Sequence, residues 1–249
     1  MIPTRINPQC QVALKRIGQE QQPLIVIRDC WAEPEALIAL AQSEDDDKSQ
    51  HVGFKDDPND FYPGLRKPLS TDFQQALSQA LSTLLQAHLS EHFSTLDIPV
   101  SKSVSIPFCA FSLTNTAPAQ LLPIQRIPHF DSTSSRQFAL VSYLFKQDKG
   151  GTAFYRHKKT GFEYITDSRA KMYMKSLQTQ ASTEGFPEAA YINASTPLFE
   201  QIHCESAQFN TCILYPANVL HSGCIYAEKS LSSCPENGRL TLNACLDFE

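Results

Sequence analysis

The spacing of apolar residues along this chain changes near Ser101. Before it, the strongest pattern is helical. Phe73, Leu77, Leu81, Leu84, Leu85, Leu89 and Phe93 recur at three and four, the spacing of one helix face. Thr71 and Gln74 stand where a capping box would open that helix. A shorter helix is expected over Ala36–Ala41, because Pro34 and its acidic neighbours suit a first turn. Leu24-Ile25-Val26-Ile27 reads as a buried strand. Residues 1–22 read as polar loop, and residues 43–69 as a long surface loop that packs through Phe54, Phe61 and Tyr62.

After Ser101 the period is two. Val104, Ile106 and Phe108 share one phase and Phe111 and Leu113 the other, which predicts a bulge near Cys109 and Ala110. Pro107 suits an edge or a bulge. Residues 115–127 form a proline-containing loop that ends at His129. Further strands are expected over Arg136–Phe145, over Thr152–Arg156 after a Gly150-Gly151 turn, over Phe209–Tyr215, Val219–His221 and Arg239–Leu246. Ser168–Gln180 reads as a helix with Met172, Met174 and Leu177 as its apolar side, inserted between strands. About eight short strands separated by turns predict a sandwich or barrel. The expected organisation is α+β and one domain over 1–249. Residues 1–100 form its α+β support, and 101–249 form a β core interrupted by an insertion at about 157–205.

Length and composition narrow the class. A chain of 249 residues can enclose one sizeable core. A net charge of −5 argues against general nucleic-acid binding, which needs a positive surface. Nine glycines and no G-x-G-x-x-G argue against a phosphate-binding loop. Met1–Asn7 has no apolar core of a signal peptide, and no apolar run approaches membrane-spanning length, so a cytoplasmic protein with no membrane partner is expected. The eight cysteines are scattered among apolar neighbours and are expected to be reduced. No C-x-x-C supports a zinc knuckle or redox pair.

The chemistry concentrates at Pro128-His129-Phe130-Asp131. Residues i and i+2 of an extended segment point the same way, so His129 and Asp131 share a face. A second histidine from a neighbouring strand would complete the 2-His-1-carboxylate triad that holds Fe(II) and leaves positions open. His221 is the foremost candidate, against the plainer reading of a core histidine bonded to a carbonyl. His157, in the basic run Arg156–Lys159, and His203 compete for the role. Arg239 follows His221 and can grip a carboxylate with two parallel donors, which suggests 2-oxoglutarate as co-substrate. His88 and His92 stand at i and i+4 in the long helix, but no third ligand accompanies them.

From about Cys109 onward the motifs occur in a recognisable order. They are His129-Phe130-Asp131, Val141-Ser142-Tyr143-Leu144-Phe145, Gly150-Gly151-Thr152-Ala153-Phe154, Cys212-Ile213-Leu214-Tyr215-Pro216, Leu220-His221-Ser222 and Gly238-Arg239-Leu240-Thr241. This series resembles the 2-oxoglutarate- and Fe(II)-dependent oxygenase superfamily, in its prolyl-hydroxylase-like branch, and looks like a poorly characterised bacterial family within it. The resemblance implies a double-stranded β-helix, a jelly-roll or cupin-like barrel, with flanking N-terminal helices and a helical insertion. It implies Fe(II) on His129, Asp131 and His221, and 2-oxoglutarate on Arg239, with Thr241 and Tyr143 as further contacts. The stretch from His221 to Arg239 is longer than that family usually shows, and residues 227–237 look like the loop that absorbs the excess. The expected activity is hydroxylation of a small-molecule or peptide substrate, with residues 43–69, 115–127 and 157–205 shaping its pocket. Arg126 and Arg136 are candidates to meet an acidic group on it, or plain surface charges. A non-catalytic metal- or small-molecule-binding β-helix protein, or a zinc hydrolase using the same triad, are the competing readings.

Overall fold

In the computed structural model, described at residues 2–43, 53–56, 60–89 and 103–248, an antiparallel sheet of seven strands faces one of three. The elements in chain order are β1 (Gln11–Ile17), β2 (Gln22–Arg28), α1 (Pro34–Gln42), β3 (Gly64–Pro68), α2 (Thr71–Leu89), β4 (Val104–Thr114), β5 (Gln137–Tyr143), β6 (Thr152–His157), α3 (Asp167–Glu184), β7 (Phe199–Glu205), β8 (Thr211–Pro216), β9 (His221–Gly223), α4 (Ala227–Ser230) and β10 (Leu240–Phe248). The large sheet runs β1-β2-β8-β5-β10-β4-β3 and the small one β7-β6-β9.

Alternation along the strands sorts side chains into layers. Phe138 and Leu140 of β5 turn to one face of the large sheet. There they join Leu214, Leu242 and Leu246 and meet Leu37 of α1 and Phe73, Leu77, Leu81, Leu84 and Leu85 of α2. Ala139, Val141 and Tyr143 turn to the other face, where Val26, Ile213 and Tyr215 meet Phe154 of β6 and Val219. The outer face of the small sheet, through Ala153, Tyr155 and Phe199, is covered by Tyr173 of α3. Central strands therefore read as continuously apolar because both of their faces are covered.

Several expectations are corrected, most of them at edges. Residues 1–22 contain β1, which pairs in full register with β2 from Gln11↔Arg28 to Ile17↔Gln22 around a turn with Gly18 and Gln21 in the left-handed region. The stretch 43–69 contains β3, paired to β4 from Gly64↔Thr114 to Pro68↔Ala110, while Phe61 is 59% exposed and packs into no core. The segment around His203 is β7, paired to β6. These strands lie at sheet edges, where one side meets water and polar residues are tolerated, so the apolar signal is weak. The β4 bulge lies at Ser105–Phe108, where those two residues face Asp247 and Cys245, so Pro107 sits inside it rather than Cys109 and Ala110. The cap of α2 is Ser70, one residue earlier than the expected box, with its Oγ accepting from the Phe73 N–H.

The insertion helix turns a different side inward than Met172 and Met174 suggested. Those two are 61% and 47% exposed, while Tyr173 and Gln180 are buried and Ala170 and Leu177 pack beside them. Positions 170, 173, 177 and 180 share one face of a 3.6-residue period. β9 begins at His221 rather than ending there. His92 and Phe93 lie outside the described residues, as does much of the stretch 44–59. Among the described residues no helix is long and apolar enough to cross a membrane. All eight cysteines are free, but Cys204 and Cys224 bring their sulfurs to 3.5 Å, a proximity that no C-x-x-C spacing announced.

Leu77 is fully enclosed between α2 and the large sheet. Leu77→Ala should lower unfolding stability by about 2–5 kcal/mol, read as a lower denaturant midpoint at unchanged slope. Met172→Ala should change it by less than about 0.5 kcal/mol. A comparable loss at Met172 would contradict the assignment of the helix faces.

Candidate metal centre

One backbone pairing sets the site. His129 and His221 form a bridge in which each N–H donates to the other's carbonyl at 2.9 Å. Directly opposed residues put their side chains on one side, and the imidazole centroids are 4.3 Å apart. Two residues on, the Asp131 N–H donates to Ala217 O at 2.8 Å, which fixes the carboxylate beside both rings. Asp131 Oδ1 lies 3.7 Å from His129 Nε2, and Oδ2 lies 3.6 Å from His221 Nε2. One ligand atom from each residue falls within 4.8 Å of the others. His221 Nδ1 is 2.8 Å from Val219 O, so its proton belongs there and Nε2 presents a lone pair to the site.

The electrostatics favour a metal. Neighbouring atoms crowd His129 and remove it from bulk water, and the charge of a protonated His221 would oppose its own. Together they pull its pKa down to about 4, with Asp131 pulling the other way. An open mouth tempers the effect, since 49% of the His129 side chain stays accessible. At neutral pH His129 thus offers an unprotonated ring nitrogen.

The three side chains open into a cavity of about 570 Å³ that Arg239 also lines. Arg239 is buried, and its Nη2 donates to Gly151 O at 2.7 Å, but its Nε has no partner. On the same strand face Thr241 Oγ1 is buried without a partner, as are Ser112 Oγ opposite it and Asn243 Oδ1 two residues on. Buried polar atoms left unpaired are costly and call for an explanation. This row faces the space between the sheets, where Arg239 and Asn243 line the cavity while Thr241 and Ser112 lie behind its wall.

The long approach to Arg239 is held by a lysine. Lys149 Nζ donates to Lys229 O at 2.8 Å and to Asn237 O at 2.6 Å, and Ser230 Oγ donates back to Lys149 O. The 227–237 stretch, with α4 in it, is therefore stitched to the Gly150-Gly151 turn. Gly150 is at φ +90 with Cys224 O pressed against its Cα, where a side chain would collide.

Other candidates are placed elsewhere. His157 is buried between Thr160 Oγ1 and Gln180 Oε1 at 2.9 and 2.8 Å, and His203 Nε2 pairs with Glu205 at 3.1 Å. Arg126 donates to Leu121 O and Pro187 O, and Arg136 to Phe248 O, so neither meets the cavity. Tyr143 stands beside Arg239 with its ring, but its hydroxyl is 2.8 Å from Thr152 Oγ1, and Thr152 is the one that lines the cavity. Tyr215, Asn243, Cys245, Phe108 and Arg66 also line it, and the sequence pattern did not single them out. The signal for Asn243 and Cys245 was available: they continue the alternate phase of Arg239 and Thr241 along β10.

The model of a family of unknown function, DUF6445, matches residues 8–246. No curated protein matches the chain. Among solved structures, it is similar to HygX from Streptomyces hygroscopicus with iron bound (TM-score 0.48, 10% identity, 92% of this chain and 83% of that one). It is similar also to SnoN, a non-heme alpha ketoglutarate dependent epimerase from nogalamycin biosynthesis (0.47, 11%, 93% and 78%). A third is EctD from S. alaskensis with bound Fe (0.44, 11%, 99% and 87%).

The lowered His129 pKa sets a pH window. An unfolded chain protonates this histidine near 6.5 and the folded one near 4, so stability falls as the pH drops through that interval, while the hold of His129 on a metal is lost only as the pH nears about 4. Co(II) binding to metal-free protein, followed by its visible spectrum, should be nearly constant from pH ~8 to ~6 and weaken below. A midpoint at or above 6.5 would show that His129 is not held neutral.

Proposed function

From the premise that this chain belongs to DUF6445, a family defined by no activity, we propose that it is an Fe(II)- and 2-oxoglutarate-dependent oxygenase, a hydroxylase, built on a double-stranded β-helix. The observation that carries this reading is the convergence on one cavity of His129, Asp131 and His221 with the buried, incompletely paired Arg239. The β-helix reading is supported by two facing antiparallel sheets, with His221 on the small one and His129 bridged to it.

The residues fit both groups. Two unprotonated imidazole nitrogens and a carboxylate are the donor set of a facial 2-His-1-carboxylate site. His129, Asp131 and His221 would hold the metal from one side, leaving the cavity side open. Arg239 would anchor the distal carboxylate of 2-oxoglutarate. Its Nη2 is committed to Gly151 O, which fixes the plane of the fork, while other donors remain for the ligand. Thr241 Oγ1 would add a hydrogen bond, and Thr152, positioned by the Tyr143 hydroxyl, borders the same space. The rings of Tyr143 and Phe145, 6.0 and 5.6 Å from the guanidinium, keep water from the salt bridge. When bound, the metal supplies oxygen activation coupled to decarboxylation of the 2-oxo acid. A zinc hydrolase using the same triad would leave Arg239 without a role. The substrate under this proposal is a small molecule or peptide group entering by the open mouth.

Anaerobic addition of Fe(II) and then 2-oxoglutarate should produce the visible charge-transfer band of a chelated 2-oxo acid. His129→Ala should abolish it, and Arg239→Ala should raise the 2-oxoglutarate concentration needed by at least about tenfold, as expected for losing a buried charge-assisted pair. Iron binding without a band would refute the co-substrate assignment.

A further inference from the structure

The mouth of the cavity holds a second arginine for which neither the metal nor the co-substrate has a use. Arg66 lies on β3 opposite Ser112, which in turn lies opposite Thr241. This register turns Arg66 to the same inner face as Thr241, and its side chain lines the cavity together with His129 and Asp131. Two rings fix the guanidinium: its central carbon is 4.8 Å from the Tyr62 centroid and 5.0 Å from that of Phe108. Asp60 Oδ2 stands 2.6 Å from Nε, but out of line with the N–H, so Nε makes no hydrogen bond. Among the described residues the contact with Asp60 is Coulombic, and no hydrogen bond occupies the guanidinium fork. A rigid, partly dehydrated fork with unspent donors is suited to a planar oxyanion.

The surroundings say what that anion is attached to. Phe61 and Ile124, 59% and 45% exposed, line the same mouth with Tyr62, Phe108 and Phe130. Apolar side chains held open to water around a cavity mark a surface that an apolar group covers.

We propose that Arg66 anchors a carboxylate of the primary substrate, and that this substrate is an organic acid whose apolar, aromatic-compatible body lies against Phe61, Tyr62, Phe108 and Ile124. The inference rests on reading the cavity as an oxygenase site. It gives the two arginines different ligands. Arg239, deep between the sheets, holds the co-substrate, and Arg66, at the mouth, holds the substrate. Asp60 acts as a place-holder that partly neutralises Arg66 until the acid arrives.

The test uses full-length protein loaded anaerobically with Fe(II) and 2-oxoglutarate, and 3-phenylpropionate as the probe. Binding is read by ligand-observed NMR on the Zn(II)-loaded protein and by perturbation of the visible band on the Fe(II) form. The acid should bind, while 3-phenylpropanamide and 3-phenylpropylamine should bind at least tenfold more weakly. Arg66→Gln should weaken the acid at least tenfold and leave the 2-oxoglutarate titration within twofold of the parent. Asp60→Asn should bind the acid as well or better, because the competing carboxylate is gone, an effect in the direction opposite to damage to the fold. Equal binding of acid and amide, no binding of the acid, or indifference to Arg66→Gln would overturn the proposal. Loss of 2-oxoglutarate binding in Arg66→Gln would overturn it too, by making Arg66 the co-substrate anchor. Absence of the visible band in the parent protein would instead strike the oxygenase reading, which keeps the two failures apart.

Discussion

The reciprocal hydrogen bonds between His129 and His221 are the constraint on which the site depends. They join a loop that has just left two short 3₁₀ turns to the end strand of the small sheet. Without that bridge the two imidazoles would belong to separate segments. With it, strand geometry alone sets both on one side, and Asp131 follows two residues later at the same phase. The three side chains are therefore positioned by backbone pairing rather than by side-chain packing. This explains how an open mouth, with Asp131 and His129 partly exposed, can coexist with a defined arrangement of donors.

A second constraint works from the opposite sheet. β10 lies between β4 and β5 near the middle of the large sheet, so its residues are fixed by ladders on both sides. Leu240, Leu242, Ala244 and Leu246 commit one face of this strand to the helices. Arg239, Thr241, Asn243 and Cys245 are left to the interior between the sheets. Apolar packing on one face thus dictates that polar atoms line the other. The Lys149 clamp on the 227–237 stretch then delivers Arg239 to the start of that strand in spite of the added length.

Much of this was legible in the sequence where two periodicities met chemistry. The i, i+2 relation of His129 and Asp131, the helical run through Leu77 and Leu81, and the strand carrying Arg239 all follow from spacing. What was not legible lay at sheet edges. β1, β3 and β7 carry residues such as Lys15, Arg66 and His203 at positions where a central strand would be apolar, so their alternation is muted. Arg66 was hidden for this reason inside a stretch that reads as loop. α3 misled differently: Met172 and Met174 are apolar yet exposed, while the buried Tyr173 and Gln180 carry polar atoms. Hydrophobicity alone chose the wrong face, and only the period through Ala170, Tyr173 and Leu177 points inward. Pairings across the two sheets, such as Thr152 with Tyr143, had no local signature at all.

The interior polar row shows how such a fold can hold a site ready before a ligand arrives. Arg239 Nε, Thr241 Oγ1, Ser112 Oγ and Asn243 Oδ1 lack protein partners on the inner face of the large sheet. Unpaired burial of this kind costs about 1–3 kcal/mol per group, and no side chain within reach relieves it. The strain cannot relax by rotation of β10, because the leucines on its other face are locked under the helices. Nor can Arg239 withdraw, since Gly151 O and the rings of Tyr143 and Phe145 surround it. The burial of Arg239 raises the worth of any anion that reaches it, because water is removed from the pair. Under the proposed function, a ligand with a carboxylate at one end and metal-binding oxygens at the other would be selected by the separation of two fixed ends. Each end is set by a different sheet, and the antiparallel ladders hold them apart.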